Sequence, residues 1–348
     1  MTQDMITNHS FPPLDTSHLT FIVGTGRCGS TMLSNLLRKH PAVLSLSEFF
    51  VLLQDSKFQE GSMDASQFWA LLSAPLPAIT ALLRHGITFP EILYPISPTS
   101  RYNAQTGIPA ILLTSLPHLT DEYEELYDEI QQVVSQFPTD RIERHYTRLF
   151  AWLQQRFGRS VCVERSGFSL PFISSLSRLF PDARFVHIVR DGRECAMSMS
   201  RHLGFRLAAL RVLQRGTERP GVVARSEEEA FDPALLNQEF PIEVFGQLWA
   251  QTIREGLAHL SELPPERVLT LSYEDLTAHP QLHLQHLLTF IDPSTVDETW
   301  IRSTSALVWQ KPPTWKDLPV PEREALEAAC QPGFAALSTM AQDELHGV

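Results

Sequence analysis

Two short segments contain residues whose types and spacing suit the binding of phosphate. The first is the loop from Gly24 to Thr31, which fits the pattern G-x-x-x-x-G-K-[ST] except that Ser30 stands at the lysine position. Glycines let backbone N–H groups turn inward around an oxyanion, and the positive end of a following helix adds attraction. The loop therefore predicts a phosphate or sulfate site, and Arg27 favours that interpretation over a tight turn with packing glycines.

The second segment is the run RDGR from Arg190 to Arg193, followed by Ser198. A guanidinium at a strand end and a hydroxyl two turns along the next helix can converge on a second phosphate, which the guanidinium binds in bidentate fashion. The alternative is a turn in which Asp191 and Arg193 form ordinary salt bridges. Two separate phosphate sites suggest a nucleotide that is phosphorylated at two positions.

The elements that position these segments alternate between strand and helix patterns. Short apolar runs predict strands over 19–23, 161–164, 184–189 and 267–271, and helical periodicity predicts a helix over 30–40 that proline stops. Such alternation favours a parallel sheet covered by helices. The predicted fold class is α/β, a P-loop-like three-layer fold with a central parallel sheet and a helical insertion.

The chain is predicted to be a single domain over 1–348 with three appended parts. Residues 1–18 form an N-terminal tail. A proline-broken, Leu- and Phe-rich stretch over about 50–155 predicts a helical insertion that shapes an acceptor pocket. A polar stretch over about 216–243 predicts an exposed loop or lid.

Composition excludes several classes of protein. The 348 residues include 28 Lys and Arg against 40 Asp and Glu, a net charge of −12 that disfavours broad attraction to nucleic acid or an anionic membrane. The polar N-terminus lacks a signal-peptide pattern, and no apolar run has the length of a membrane span. A cytoplasmic protein without a nucleic-acid partner is therefore expected.

Cysteine and histidine spacing argues against a metal or redox centre. The four cysteines lie far apart and form no C-x-x-C pair, which disfavours a zinc ribbon, a redox dithiol and a secreted disulfide framework. His279, His283 and His286 lack nearby carboxylates or cysteines in ligand spacing, so no metal is assigned. His187 in mid-strand is interpreted as a satisfied core histidine. Cys28 could be a thiolate nucleophile, but without a histidine partner it is better interpreted as loop filler.

Three segments in matching order resemble one enzyme family. The loop residues RCGST from Arg27, the RDGR run with its following serine, and the run YEDL from Tyr273 to Leu276 resemble motifs of sulfotransferases that use 3′-phosphoadenylyl sulfate (PAPS). The strongest likeness is to the tyrosylprotein sulfotransferase branch and its bacterial relatives. The resemblance covers roughly residues 19–50, 160–202 and 267–290.

The resemblance implies that PAPS is the co-substrate and assigns a binding role to each motif. The loop would hold the 5′-phosphosulfate, the second motif the 3′-phosphate, and a tyrosine would lie near the nucleotide. These residues are Arg27, Cys28, Gly29, Ser30 and Thr31 in the loop, Arg190 and Ser198 in the second motif, and Tyr273.

The resemblance also implies the catalytic residues. Glu48 falls where the tyrosylprotein branch has its base; the alternative is a partly buried carboxylate that pairs with a neighbouring arginine or caps a turn. Arg165 stands where relatives carry a lysine that stabilises the transferring group, a role that a fixed guanidinium can fill together with Arg27. In the C-terminal part, Lys311 and Lys316 beside tryptophans are candidates for closing over the nucleotide; the alternative is surface lysines beside packing tryptophans.

Together these features predict sulfuryl transfer from PAPS to a hydroxyl of a small molecule or a carrier-bound acyl chain, by in-line attack with a glutamate base and without a metal. A peptide tyrosine is disfavoured by the lack of a secretory signal. The alternatives are an ATP-dependent kinase with a degenerate P-loop, which would need magnesium, and a non-catalytic nucleotide-binding protein.

Overall fold

A parallel five-stranded sheet lies at the centre of the protein. The computed structural model describes residues 13–97, 99–215, 238–310 and 312–346. The strand order is β2-β5-β1-β6-β7, and every neighbouring pair is parallel. The strands are β1 Leu19–Val23, β2 Val43–Ser47, β5 Val161–Arg165, β6 Arg184–Val189 and β7 Val268–Ser272, while β3 Ser62–Met63 and β4 Asp140–Arg141 form a separate antiparallel pair.

Helices cover the sheet and form the insertion. Those that connect or follow the sheet strands are α1 Ser30–Leu37, α8 Ile173–Leu179, α9 Gly192–Ser200, α10 Leu203–Arg215, α11 Ile242–Leu260, α12 Tyr273–Ala278, α13 Pro280–Ile291, α14 Glu298–Ser305 and α15 Val320–His346. Those of the insertion are α2 Ala65–Ser73, α3 Pro77–Arg84, α4 Ala110–Leu113, α5 Ser115–Leu119, α6 Tyr123–Val134 and α7 Ile142–Phe157. The α/β fold with a central parallel sheet and a helical insertion is thus confirmed.

Four of the five sheet strands were predicted, and β2 was not. β2 has the sequence VLSLS, in which Ser45 and Ser47 interrupt the apolar run that signals a buried strand. Both serines are buried and hydrogen-bonded: Ser45 Oγ lies 3.3 Å from Ser34 Oγ, and Ser47 Oγ accepts from Arg165 at 2.8 Å. Polar partners from other elements therefore make these serines compatible with a buried strand.

Aromatic packing anchors the insertion to the sheet. The ring of Phe50, just after β2, lies 5.9 Å from that of Phe21 on β1 and 5.0 Å from that of Tyr146 on α7. All three side chains are buried, and edge-on ring pairs at such distances are favourable. The insertion and the sheet thus share one hydrophobic core.

Some predicted parts fall wholly or partly outside the described residues. Residues 216–237 of the predicted loop lie outside them, and α11 begins at Ile242 within its last two positions. Of the predicted tail, 1–12 lie outside the described residues, while Thr16–His18 form a single turn of 3₁₀-helix. Within the described ranges, no helix combines the length and hydropathy needed to cross a membrane.

One interpretation of a core residue needs correction. His187 is buried in β6, as expected, but neither ring nitrogen has a hydrogen-bond partner among the residues that the structure describes. Burial lowers the pKa of His187 to about 4, so the ring stays neutral near pH 7. It is a core histidine without the hydrogen bonds that the sequence interpretation assumed.

Candidate active site

The predicted phosphate-binding segments meet at one cavity. It has a volume of about 720 Å³ and lies where the carboxyl ends of the sheet strands face the insertion. In open parallel sheets this edge is the usual place for a ligand. The predicted site residues that line it are Arg27, Gly29, Ser30, Thr31, Glu48, Arg190, Ser198 and Tyr273.

The backbone of the loop is shaped for close approach. Gly29 precedes α1 with a φ of 96°, a conformation that glycine adopts readily. A Cβ at this position would lie 2.4 Å from the ring of Tyr273, so only glycine lets the ring pack on the loop. The first turn of α1, from Ser30, thereby presents its N–H groups towards the cavity without a capping side chain.

The side chain of Cys28 takes no part in this surface. It is fully buried under the loop, and a Cβ on Gly24 would lie 2.6 Å from its sulfur. Burial raises the pKa of the Cys28 thiol, which disfavours a reactive thiolate. Cys28 is therefore a packing residue whose backbone alone belongs to the loop.

Arg27 lies between the two phosphate motifs. Its Nε donates to Ser198 Oγ at 3.0 Å, and its Nη1 donates to Glu91 Oε1 at 3.0 Å. The same Glu91 oxygen is 3.0 Å from Nε2 of His202. Burial alone would raise the pKa of Glu91, but the hydrogen bond and charge of His202 and the charge of Arg27 hold it below its ordinary value.

Arg190 is held on three sides. Its Nη1 donates to the carbonyl oxygen of Arg27 at 3.2 Å, and its Nη2 pairs with Glu194 Oε2 at 3.2 Å. The guanidinium carbon lies 4.6 Å from the centre of the Tyr273 ring, and Glu274 accepts the N–H of Asp191 at 3.0 Å. The YEDL run thus supports the strand end from which Arg190 reaches the cavity.

Glu48 and Arg165 form a buried ion pair. Arg165 Nη1 donates to Glu48 Oε1, and the N–H of Gly167 donates to Glu48 Oε2 at 2.9 Å. The side chain of Arg165 is 4% exposed, and it donates from Nη2 to Ser47 at 2.8 Å. Glu48 lines the cavity and Arg165 does not. The contact of Arg165 with the transferring group therefore stays a prediction, and in the described structure its guanidinium pairs with Glu48.

Two of the predicted site residues adopt an unusual backbone conformation. Arg27 has a φ of 58° and Glu48 a φ of 57°, and they are the non-glycine residues with positive φ in the described part of the chain. Such conformations cost roughly 1–3 kcal/mol each and cluster at functional sites. This strain points to the two residues independently of any motif.

Beside the ion pair, Glu164 is a second buried carboxyl, which precedes Arg165 on strand β5. Its Oε1 accepts from Ser166 Oγ at 2.6 Å and from the N–H of Phe49 at 3.2 Å. Burial raises the pKa of Glu164 to about 7. Glu164 does not line the cavity, and its hydrogen bonds support the turn that carries Glu48.

Of the two C-terminal lysine candidates, the structure describes Lys316 alone, and Lys316 does not line the cavity. Lys311 lies outside the described residues. Lys316 is exposed, 5.8 Å from the centre of the Trp315 ring, and is absent from the cavity lining. The C-terminal residues that do line the cavity are Trp309, Pro312 and Thr314.

The end of the cavity beneath the insertion is apolar. Helix α3 and the segment after it provide Ile79, Leu82 and Phe89, and Phe205 of α10 closes the other side against Gly26. Apolar walls with few polar groups are typical of small-molecule sites. The cavity therefore has a polar end at the loop and an apolar end at the insertion.

A family model described as the sulfotransferase family matches residues 20–297, which include the loop, the RDGR run and the YEDL run. The chain belongs to the sulfotransferase family. The predicted likeness to the tyrosylprotein branch in particular stays a prediction. A search of curated protein sequences found no match.

Solved structures of sulfotransferases and of retinol dehydratase are similar to this sulfotransferase over most of its length. The sulfotransferase domain of the Synechococcus PCC 7002 olefin synthase has 17% identity and a TM-score of 0.47, with 96% of each chain covered. A sulfotransferase from Alicyclobacillus acidocaldarius has 16% identity and a TM-score of 0.44, with 92% of this chain and 94% of that chain covered. Retinol dehydratase, in a complex with retinol and PAP, has 15% identity and a TM-score of 0.39, with 93% and 82% covered. At these values the likeness carries no information on the acceptor.

Sequence reasoning missed four titratable residues of the sulfotransferase cavity. Its lining includes Glu91, Glu194, Arg201 and His202. Glu194 had a local signal, since it stands four residues after Arg190 on a helix, where opposite charges pair. Glu91 had none, because its pairing with the loop depends on how the insertion folds back over the sheet.

Proposed function

We propose that this sulfotransferase moves the sulfuryl group from PAPS to a hydroxyl of an apolar small molecule or a carrier-bound acyl chain, with Glu48 as the base. The observation that carries the proposal is the meeting of both phosphate motifs and Glu48 at one cavity. The shared core of sheet and insertion supports one catalytic domain, in which the insertion forms the acceptor wall.

The proposal that PAPS is the donor is supported by the polar residues at the loop end of the cavity. The first-turn N–H groups of α1, together with Arg27 and Thr31, fit the 5′-phosphosulfate of PAPS. Arg190 and the hydroxyl of Ser198 fit the 3′-phosphate. Although Ser198 accepts from Arg27, its own O–H is free to donate to a phosphate oxygen. PAPS supplies the activated sulfuryl group, and the chain supplies its orientation.

Glu48 is oriented to accept a proton. Arg165 holds one carboxylate oxygen and the Gly167 N–H holds the other, which sets the plane of the carboxylate. Each oxygen retains a second lone pair for a hydrogen bond from an acceptor hydroxyl. In this proposal Arg165 is a positioning residue, which acts through Glu48.

Arg27 and the loop amides stabilise developing negative charge. As the acceptor oxygen bonds to sulfur, charge shifts to the sulfuryl oxygens and the departing phosphate oxygen. The Arg27 guanidinium keeps N–H groups beyond those used by Ser198 and Glu91, and these can follow that charge. Preorganised donors in a cavity screened from water are effective for such stabilisation.

The proposal of an apolar acceptor is supported by the apolar residues at the insertion end of the cavity. Ile79, Leu82, Phe89 and Phe205 offer an aliphatic and aromatic surface, with Glu48 elsewhere on the lining of the same cavity. A hydroxylated acceptor with an apolar body would bury that body against the insertion and present its hydroxyl to Glu48. A peptide tyrosine is the alternative acceptor, and a panel of acceptors would distinguish it from an apolar small molecule or a carrier-bound acyl chain.

Nucleotide class is the first thing to test. Adenosine 3′,5′-bisphosphate and ATP with magnesium should be compared as stabilisers in thermal unfolding of the wild type and of Arg190→Ala. A ligand at 100 times its Kd adds about 2.7 kcal/mol to the folded state. The proposal expects stabilisation by the bisphosphate that is lost in Arg190→Ala and largely kept in Arg201→Ala, a second arginine of the cavity lining. Preference for ATP with magnesium would indicate a kinase instead.

Catalysis is tested by the release of adenosine 3′,5′-bisphosphate from PAPS in the presence of a panel of fatty alcohols, hydroxyacyl carriers and tyrosine peptides. Glu48→Ala should lose turnover while it still binds the bisphosphate. An active Glu48→Ala would remove Glu48 as the base. Bisphosphate binding without turnover of any acceptor would support a non-catalytic nucleotide-binding protein.

A further inference from the structure

A C-terminal segment forms one wall of the cavity beside the second phosphate motif. Pro312 and Thr314 line the cavity, and the next residue, Trp315, is buried. The guanidinium carbon of Arg193 lies 3.8 Å from the centre of the Trp315 ring. The segment is therefore packed on α9, the helix that follows Arg190.

Glu194 of α9 joins this segment to Arg190. Its Oε1 accepts the backbone N–H groups of Thr314 at 2.5 Å and of Trp315 at 3.0 Å. Its Oε2 pairs with Nη2 of Arg190 at 3.2 Å. The side chain is 10% exposed, so the three donors meet the carboxylate in a largely dry place, where charge-assisted hydrogen bonds are strong.

These contacts prepare Arg190 for an anion. With Nη2 on Glu194 and Nη1 on the carbonyl of Arg27, the guanidinium is oriented before any ligand arrives. Each terminal nitrogen still has one N–H to donate. A group that is oriented in advance loses little conformational entropy on binding. Glu194 thus acts on the ligand through Arg190 and through the segment.

We propose that Glu194 is a positioning residue that couples recognition of the 3′-phosphate to the ordering of the segment 312–315. Binding of a 3′-phosphate to Arg190 strengthens the hydrogen bonds between Glu194 and the two backbone amides, and an ordered segment in turn holds Arg190 in place. Such coupling is reciprocal, since both effects share one free energy. The inference rests on the proposed function, because it takes the nucleotide of the polar end to carry a 3′-phosphate.

The test compares two nucleotides that differ in the 3′-phosphate alone. Isothermal titration gives the Kd of adenosine 3′,5′-bisphosphate and of adenosine 5′-monophosphate for the wild type, Glu194→Gln and Glu327→Gln. Glutamine keeps the shape of the side chain, and its oxygen can still accept the two backbone N–H groups, but it removes the anion that orients Arg190. Glu327 of α15 pairs with Arg193, the neighbour of Glu194 on α9, so its replacement is the matched control.

The wild type should prefer the bisphosphate by at least about tenfold, since charge-assisted hydrogen bonds to a phosphate are worth that much or more. Glu194→Gln should lower this preference about tenfold, the equivalent of one such bond, while the Kd of the monophosphate changes little. In hydrogen exchange, the bisphosphate should slow the amides of Thr314 and Trp315 in the wild type and not in Glu194→Gln. Glu327→Gln should resemble the wild type in both measurements.

The preference for the bisphosphate over the monophosphate distinguishes a failure of the 3′-phosphate site from a failure of the coupling through Glu194. A wild type that binds both nucleotides equally would refute the 3′-phosphate site and, with it, this coupling. A wild type with the preference, and a Glu194→Gln that keeps it in full, would overturn the coupling alone. If Glu194→Gln does not fold, Glu194→Asp keeps the charge and shortens its reach, and it should lower the preference in the same direction.

Discussion

Replacement of Glu48 should disturb a buried ion pair as well as the reaction. Arg165 is 4% exposed, its Nε has no partner among the described residues, and Glu48 is the carboxylate that pairs with it. Glu48→Gln would leave the guanidinium charged and without the carboxylate that pairs with it. Breaking a buried ion pair from one side costs about 3–5 kcal/mol, and this is the loss in free energy of unfolding that we expect.

A double variant separates stability from chemistry. Glu48→Gln with Arg165→Met removes both charges, and replacement of a whole buried pair is often close to neutral. We expect the double variant to recover to within about 1 kcal/mol of the wild type, whereas Arg165→Met alone is destabilised like Glu48→Gln. Urea unfolding at pH 7 measures the stabilities, and bisphosphate release from PAPS measures turnover.

Urea unfolding tests the contribution of the ion pair to stability, and turnover tests Glu48 as the base. If Glu48→Gln unfolds at the urea concentration of the wild type, the ion pair does not contribute as its burial implies. If the stable double variant still turns over an acceptor, Glu48 does not accept the proton. The expected result is a stable double variant that binds the bisphosphate and has lost turnover.

Three further changes test other parts of the site and its support. Gly29→Ala should abolish bisphosphate binding because its Cβ would meet a tyrosine ring at 2.4 Å; Gly61→Ala, with a similar φ of 103° and open space around it, should cost only about 1 kcal/mol in thermal unfolding. In the folded wild type the buried Glu164 carboxyl keeps its proton up to a pKa of about 7, whereas the unfolded carboxyl loses it near pH 4.5, so the wild type loses stability as pH rises between these values. Glu164→Gln should escape this loss. Its free energy of unfolding in urea should exceed that of the wild type by on the order of 3 kcal/mol at about pH 7, and the difference should level off above that pH. Glu91→Gln removes the negative charge 3.0 Å from Arg27 and should tighten bisphosphate binding by up to about fivefold at low salt, an effect that 0.5 M salt should largely remove; weaker binding at low salt would show that Glu91 orients Arg27 instead.

The parts of the site that are contiguous in the chain can be recognised from the amino-acid sequence. A glycine loop between a buried strand and a helix presents backbone N–H groups because of its own conformation, so the loop from Gly24 to Thr31 could be recognised directly. The RDGR run with Ser198 is equally local, because a strand end and two helical turns bring these groups to one side. Alternating strand and helix patterns likewise predicted the parallel sheet, apart from β2 with its inward serines.

The long-range pairing of charged side chains depends on the folded structure. Glu48 and Arg165 are 117 residues apart, Arg27 and Glu91 are 64 apart, and Glu194 meets the amide of a residue 120 positions away. Such pairs form when packing of the insertion and the C-terminal segment removes water and leaves each charge only the few partners that the fold brings next to it. No pattern of neighbours in the chain encodes that choice. Arg165 is another example: the sequence predicts that it stabilises the transferring group, and only the fold shows its buried guanidinium paired with Glu48.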